Sequence, residues 1–280
     1  MEVKAESLKK ITKGAFIVLI SLLISKILSY VYRIIIARIG TEEYGLISLG
    51  FAVIGIVSIF SLVGLEDGLT RYIAFYKAKN KIKIISKIFN FALKLTLFLS
   101  TIFAIIIFYY APQISIEIFH NQKFIQILKI FSIAIPFYVV YKICLASLRG
   151  LKNIKAWSYI GNIGESAGKL IFTVIFLFIG LGIFGATLAY VLTFFILAFI
   201  SYFYLKKSFP LVKTKLEVNK ELFSFSWPLM FSSILMFTID WITILLLGYY
   251  KTVSDVGIYN AALPTSALLY ITPMALFSLF

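Results

Sequence analysis

Residues 14–37 carry two charges, Lys26 and Arg33, in an otherwise apolar run with the length of a bilayer-crossing helix. Seven further runs follow, at 45–65, 88–110, 124–148, 156–178, 183–204, 222–249 and 258–280, bounded by charges and Gly/Pro clusters. Backbone polar groups find no water inside a bilayer, so runs of this kind close their own hydrogen bonds as helices. The expected fold is an all-α polytopic membrane protein with about eight transmembrane helices. Composition closes off the alternatives: 61% of residues are hydrophobic and 14% charged, against roughly 25% charged in a soluble domain. The net charge of +15 does not mark a disordered or nucleic-acid-binding chain, because 28 Phe and 17 Tyr sit within continuous apolar runs.

The charge belongs to the connections. Eighteen Lys and Arg fall before the first run, between the second and third, after the fourth and between the sixth and seventh. Three, Arg38, Lys123 and Lys251, fall on the other side. The positive-inside rule then puts the N-terminus in the cytoplasm of a multi-pass cell-membrane protein. Trp157, Trp227, Tyr109, Tyr110, Tyr249 and Tyr250 stand at run ends as interfacial anchors. The run after the lysine-rich N-terminus lacks a small-residue cleavage site and is expected to be a retained span. One Cys (Cys144) and one His (His120) give no internal disulfide and no imidazole pair. No nucleotide loop, catalytic triad or metal-ligand spacing is present. We therefore expect no enzyme activity, no cofactor, no metal and no nucleic-acid partner.

An internal repeat comes next. The segment LSYVYRIIIARIGTEEYGLISLGFAV from Leu28 and the segment LMFTIDWITILLLGYYKTVSDVGIYNAAL from Leu235 each contain a long helix with a charge in its outer half, a Gly, a short acidic loop and a Gly-containing start of the next helix. Gly40 answers Gly248, and Gly45 answers Gly257. Six spans separate the copies, so both cross in the same direction, as in a parallel transporter repeat. The expected organisation is a six-helix lobe at 1–205, a basic cytoplasmic linker at 206–221, and the first two helices of a second lobe at 222–280. Because the apolar run reaches Phe280 without a basic flank, we expect the second lobe to be truncated.

RIGTEEYGLISLGFAV at 38–53, GLEDGLTRYIA at 64–74 and LRGLKNIKAWSYIGNIGESAGK at 148–169, with TIDWITILLLGYY at 238–250 and VGIYNAA at 256–262, resemble the polysaccharide-exporting branch of the superfamily that also contains multidrug and toxic compound extrusion transporters. The resemblance implies two six-helix lobes around a cleft that opens alternately to each side. It also implies a flippase for lipid-linked oligosaccharides, with membrane lipids and polysaccharide-assembly proteins as neighbours.

Charges within spans cost about 2.5 to 3.5 kcal/mol at the bilayer centre and therefore need reasons. Lys94, Lys129 and Lys142 lie about two turns from helix ends, within snorkelling reach of the interface. Lys26 is deeper, and Lys26, Tyr30 and Arg33 share one helix face. Arg offers a planar fork to phosphate and Lys a mobile point charge, so this stripe is the expected substrate-binding surface for a prenyl-pyrophosphate sugar; a structural ion pair is the alternative. Asp240, at a depth similar to Arg33 in the repeat, is either its gate partner or the carrier of a coupling ion. Glu165 and Lys169 stand four apart as a same-helix pair, among Gly161, Gly164 and Gly168 that suit close packing, and a buried carboxylate there could also store a proton. Glu66, Asp67 and Arg71 cluster at the inner end of the second run, either as a gate or as a helix-end salt bridge. Pro136, Pro264 and Pro273 bend their helices. Besides the flippase, two functions remain open: a multidrug/cation antiporter, whose cleft should be acidic and aromatic, and a non-transporting membrane scaffold.

Overall fold

The computed structural model describes residues 2–209 and 220–269, with side chains at Thr12, 14–209 and 220–264. Among these the chain is helical, with no strand. The helices are α1 (Glu2–Ile39), α2 (Thr41–Leu62), α3 (Leu65–Ala78), α4 (Ile82–Gln113), α5 (Phe124–Gly150), α6 (Ile154–Ser158), α7 (Glu165–Phe178), α8 (Gly182–Ser208), α9 (Lys220–Tyr250) and α10 (Val253–Leu269). Short π-helical turns extend α4 over Ile114–Ile118 and join α6 to α7 over Tyr159–Gly164.

Seven helical segments are long and apolar enough to cross a membrane: Gly14–Ile39, Thr41–Leu62, Ile82–Ile118, Phe124–Gly150, Ile154–Phe178, Gly182–Ser208 and Lys220–Tyr250. They coincide with the first seven expected runs. The expected eighth begins as α10, and residues 270–280, with Pro273, lie outside the described residues, as do 210–219 of the linker.

One helix departs from expectation. The basic segment after α2 is not a plain connection: Val63 and Gly64 both take left-handed backbone angles, φ 49° and 68°, and the chain turns into the amphipathic α3. Its Leu65, Gly68, Leu69 and Ile73 are buried, while Arg71, Lys77 and Lys79 remain exposed. The Lys77 ammonium donates to the Leu151 carbonyl, tying α3 to the end of α5.

α2 is the central helix, packed against α5, α9 and α10. Its hydroxyls are spent locally: Ser48 donates to the Tyr44 carbonyl at 2.7 Å and Ser61 to that of Val57 at 2.8 Å. A buried helix thus exposes no unmet donor to its neighbours. Around it lies a core with Phe89, Phe124, Phe131, Tyr141 and Phe194 fully buried. α1 joins through a serine face. Ser25 and Ser29 hydrogen-bond Ser166 at 2.7 and 3.1 Å, and the Asn162 amide donates to Ser21 at 2.9 Å. Hydroxyls of this size let helices approach closely where lipid supplies no hydrophobic drive.

The two copies of the repeat meet directly. α10 lies along α2, with the Asn260 amide donating to the Ser48 hydroxyl at 2.5 Å and the Thr41 and Ser254 hydroxyls 2.6 Å apart. Gly45 and Gly257 occupy matching places in this contact. Gly40 and Gly248 differ: Gly40 separates α1 from α2, whereas Gly248 lies inside α9 against Leu49 and Phe119. Gly257 follows Gly248 by nine positions where Gly45 follows Gly40 by five, and the four extra residues between the glycines produce the offset.

Candidate functional site

α5 carries Pro136 inside it, where the backbone lacks a donor, and just beyond it presents Tyr138, Tyr141 and Lys142 on one face. Opposite, the π-turn Tyr159–Gly164 widens the fifth span. Such wide turns leave carbonyls without regular partners, and here the Tyr141 hydroxyl lies 3.2 Å from the Gly161 carbonyl. The same hydroxyl is 3.2 Å from Glu165 Oε2, while Lys169 Nζ donates to Glu165 Oε1 at 2.7 Å. Each carboxylate oxygen of Glu165 therefore has a donor. Lys169 also sits among aromatic faces, 5.1 Å from the ring centre of Tyr190, 5.2 Å from Phe194 and 5.6 Å from Phe51. The ring quadrupoles and one carboxylate together compensate a cation held away from water.

Above this pair is a cavity of about 320 Å³. Phe51, Gly55 and Ser58 of α2, Glu66 and Asp67 of α3, Tyr138 and Lys142 of α5, Glu165 and Lys169 of α7, and Ser233, Phe237 and Trp241 of α9 are among its walls. It runs from mid-depth toward the lysine-rich end of the bundle. Two cations and three carboxylates face it, with stacked Phe237 and Trp241 rings 6.1 Å apart on one side. The Lys142 ammonium lies 5.3 Å from the Tyr138 ring centre. Glu66 Oε1 is buried without a hydrogen-bond partner, so the cavity contains an acceptor with unspent capacity.

Both ends of the cavity are bounded by close helix contacts. At the lysine-rich end Gly64 and Gly68 of α3 abut Ser226 of α9. At the other end α2 and α10 cross, and Lys123 braces the start of α2 through Glu42 at 2.9 Å, with the Asn121 amide donating to the same carboxylate at 3.0 Å. The bond to Glu42 raises the already exposed Lys123 above the usual lysine range.

Of the residues expected from sequence, Glu66, Asp67, Glu165 and Lys169 come together at this cavity. Lys26, Tyr30, Arg33 and Asp240 do not line it. Lys26, Tyr30 and Asp240 are exposed and Arg33 is half-buried. Among the described residues no ion pair joins Arg33 to Asp240, or Asp67 to Arg71. Arg71 instead lays its guanidinium 4.2 Å over the Phe225 ring, a contact from α3 to α9. Lys129 rests near the Phe108 ring at 5.3 Å.

Lys142 is the residue that sequence reasoning misplaced. Snorkelling was expected, but its helix face turns inward and its ammonium meets the cavity. Tyr138, one turn earlier, was the available signal, since an aromatic face one turn from a buried lysine offers it compensation. Trp241 and Phe237 were also missed, because nothing in an apolar run marks which aromatic faces a cavity.

The profile of the polysaccharide biosynthesis protein family matches residues 11–279, nearly the whole chain and every helix that lines the cavity. The chain belongs to that family. No curated protein sequence matches it. As a polysaccharide biosynthesis protein it is multi-pass and helical through its described residues, and five of its charged side chains, Glu66, Asp67, Lys142, Glu165 and Lys169, meet at one cavity between α2, α3, α5, α7 and α9.

Proposed function

We propose that this polysaccharide biosynthesis protein moves a lipid-linked oligosaccharide, carried on a prenyl diphosphate, from the cytoplasmic to the outer leaflet by alternating exposure of the cavity, as a transporter rather than an enzyme. The observation that carries the proposal is the composition of the cavity: charged and aromatic groups at mid-depth, enclosed by helices of both repeat copies. Lys142 and Lys169 supply cations for diphosphate oxygens. Glu66 and Asp67 accept hydrogen bonds from sugar hydroxyls, and Trp241 and Phe237 offer flat apolar faces to a sugar ring.

In this cycle Lys26, Tyr30 and Arg33 form the wall of the path that the diphosphate follows once the lobes separate. Asp240, adjacent to Trp241, meets Arg33 in the alternate state and gates it. The surplus of lysine and arginine at the cavity's lysine-rich end sets the N-terminus in the cytoplasm of the cell membrane.

The test is translocation of a fluorescent prenyl-diphosphate sugar in vesicles reconstituted with the protein. Replacing both Lys142 and Lys169 with Ala should lower the rate more than tenfold, with insertion intact. A wild-type rate in that double variant overturns the assignment. One observation favours a second reading, cation antiport: Glu66 Oε1 is buried without a hydrogen-bond partner, and three acids face two lysines. Efflux of a quaternary ammonium dye that depends on Glu66, with no movement of the lipid, would establish antiport in place of flipping.

A further inference from the structure

Two turns at the lysine-rich end of the bundle have the same backbone. After α3 the Asn80 N–H donates to the Lys77 carbonyl at 3.0 Å and the Lys81 N–H to that of Tyr76 at 2.9 Å. After α5 the Lys152 N–H donates to the Arg149 carbonyl at 2.9 Å and the Asn153 N–H to that of Leu148 at 3.0 Å. The corner residue is left-handed in each, Asn80 at φ 56° and Lys152 at φ 55°. A third turn with these bonds, after α7 at the opposite end, has Gly180 at its corner with φ 87°. Glycine takes that backbone without steric cost and lysine does not, so Lys152 holds a charge at a corner whose geometry favours a residue without one.

The two lysine-rich turns stand side by side. The Lys77 ammonium bonds the Leu151 carbonyl between them, and a Cβ at Gly150 would stand 2.9 Å from both the Ile73 Cβ and the Thr70 carbonyl oxygen. One turn exposes Lys79, Lys81 and Lys83, the other Arg149, Lys152 and Lys155. Residues 70–90 and 147–160 contain no Asp or Glu, and among the described residues none of the six cations is in an ion pair. Lys79 and Arg149 lie over the rings of Phe75 and Trp157, at 4.2 and 5.6 Å, which compensates them in part. The neighbouring acid is Glu221 at the start of α9, whose carbonyl accepts from the Tyr72 hydroxyl at 3.4 Å.

A surplus of cations at this end follows from membrane insertion alone, but insertion depends on how many charges there are and not on a lysine standing at a left-handed corner. Lipid headgroups ring the bundle and reach its rim. α5 is an inner helix, packed against α2, α3, α4 and α8, and Leu148, Gly150 and Leu151 at its end are buried. Arg149 and Lys152 therefore project from within the end face of the bundle, away from the surrounding leaflet. We propose that this basic plate is the docking surface for an acidic segment of a cytosolic protein. Cations crowded on short, fixed turns repel one another, and carboxylates seated among them relieve that repulsion and set the partner's orientation. None of the six lines the cavity, so the plate goes beyond the transport reading; only the side of the membrane rests on it, through the orientation given above.

The test has two parts. In nanodiscs of phosphatidylcholine, a fluorescent peptide of alternating Glu and Ser is titrated onto the protein and followed by anisotropy. Replacing Lys79, Lys81, Lys83, Lys152 and Lys155 with Gln should weaken binding about tenfold or more, whereas Arg at the same five positions should stay within about twofold of the parent. Unchanged binding by the Gln variant overturns the plate. The second part does not depend on that variant inserting: a photoreactive benzoylphenylalanine in place of Lys152 is irradiated in the protein's own cells, and the linked fragment is sequenced. The expected adduct is to a protein segment rich in Asp and Glu, and it should disappear when Lys79, Lys81 and Lys83 are replaced with Gln. Adducts to phospholipid alone, or to a protein segment without acids, overturn the proposal. Labelling of Lys152→Cys by an impermeant maleimide added outside intact cells would overturn the cytosolic partner through the orientation, an outcome separate from loss of peptide binding.

Discussion

Gly45 and Gly257 cross with reciprocal contacts: a Cβ on Gly45 would lie 1.9 Å from the Val253 carbonyl oxygen, and a Cβ on Gly257 would lie 1.9 Å from the Thr41 carbonyl oxygen. Each glycine faces the residue one turn before the other. A contact in which the first element meets the second as the second meets the first marks a twofold relation, here between α2 and α10 of a single chain. The local axis of the repeat therefore runs through this crossing, above the cavity.

Alanine at either glycine forces the backbones apart. Gly45→Ala and Gly257→Ala should each destabilise the folded protein by about 1 to 3 kcal/mol, the range for overpacking. Thermal unfolding in detergent measures this. Gly14, with nothing within 4 Å of an added Cβ, is the control, and Gly14→Ala should leave the midpoint unchanged.

Glu165 and Lys169 should behave as a coupled pair. Lys169→Met alone leaves Glu165 short of its strongest donor, at a cost of about 3 kcal/mol for a poorly hydrated carboxylate. Adding Glu165→Gln should recover a large part of that loss. A double-mutant cycle on unfolding free energies reads the coupling, and strictly additive effects would refute the pairing.

Lys142 and Lys129 share a helix but not a role. In vesicle transport, Lys142→Ala should slow movement of the prenyl-diphosphate sugar about tenfold, whereas Lys129→Ala, whose ammonium lies by Phe108, should stay within twofold of the parent, on the scale of about 1.4 kcal/mol per tenfold in rate.

A reciprocal cap starts α10. The Thr252 hydroxyl and N–H donate to Asp255 Oδ2 at 2.7 and 3.1 Å, and the Asp255 N–H donates back to the Thr252 hydroxyl at 3.3 Å. These bonds hold the Asp255 acid below the usual carboxylate range. A folded-state pKa below the unfolded one contributes stability that is complete above the ordinary aspartate value of about 3.9. That contribution disappears as pH falls through the depressed folded value. Amide exchange in the first turn of α10 should therefore quicken on acidification in that window, and Asp255→Asn should abolish the dependence.

Glycine spacing and apolar run length were legible in one dimension because each depends on local chemistry alone. The Gly45/Gly257 correspondence and the Glu165–Lys169 pair both follow from residues a turn or a repeat apart. Rotation about a helix axis was not legible. In a soluble helix the polar face reports which side is out, but in a bilayer both lipid and protein interior are apolar, so periodicity loses its meaning. Lys26, Tyr30 and Arg33 share a face as expected, yet the serine face of α1 at Ser21, Ser25 and Ser29 turns toward α7, and the basic stripe lies off the cavity.

The sequence by itself determined a polytopic all-helical protein, its basic and opposite faces, and a repeat that pairs two glycines, because transfer free energy and backbone satisfaction act on every residue in place. Only the tertiary structure decided that Lys142 joins Glu66, Glu165 and Lys169 in one cavity, that the basic segment after Leu62 folds back as α3, and that the turns at Asn80 and Lys152 stand side by side. Those outcomes depend on which helices pack together and how each is turned, and packing is a property of several segments at once.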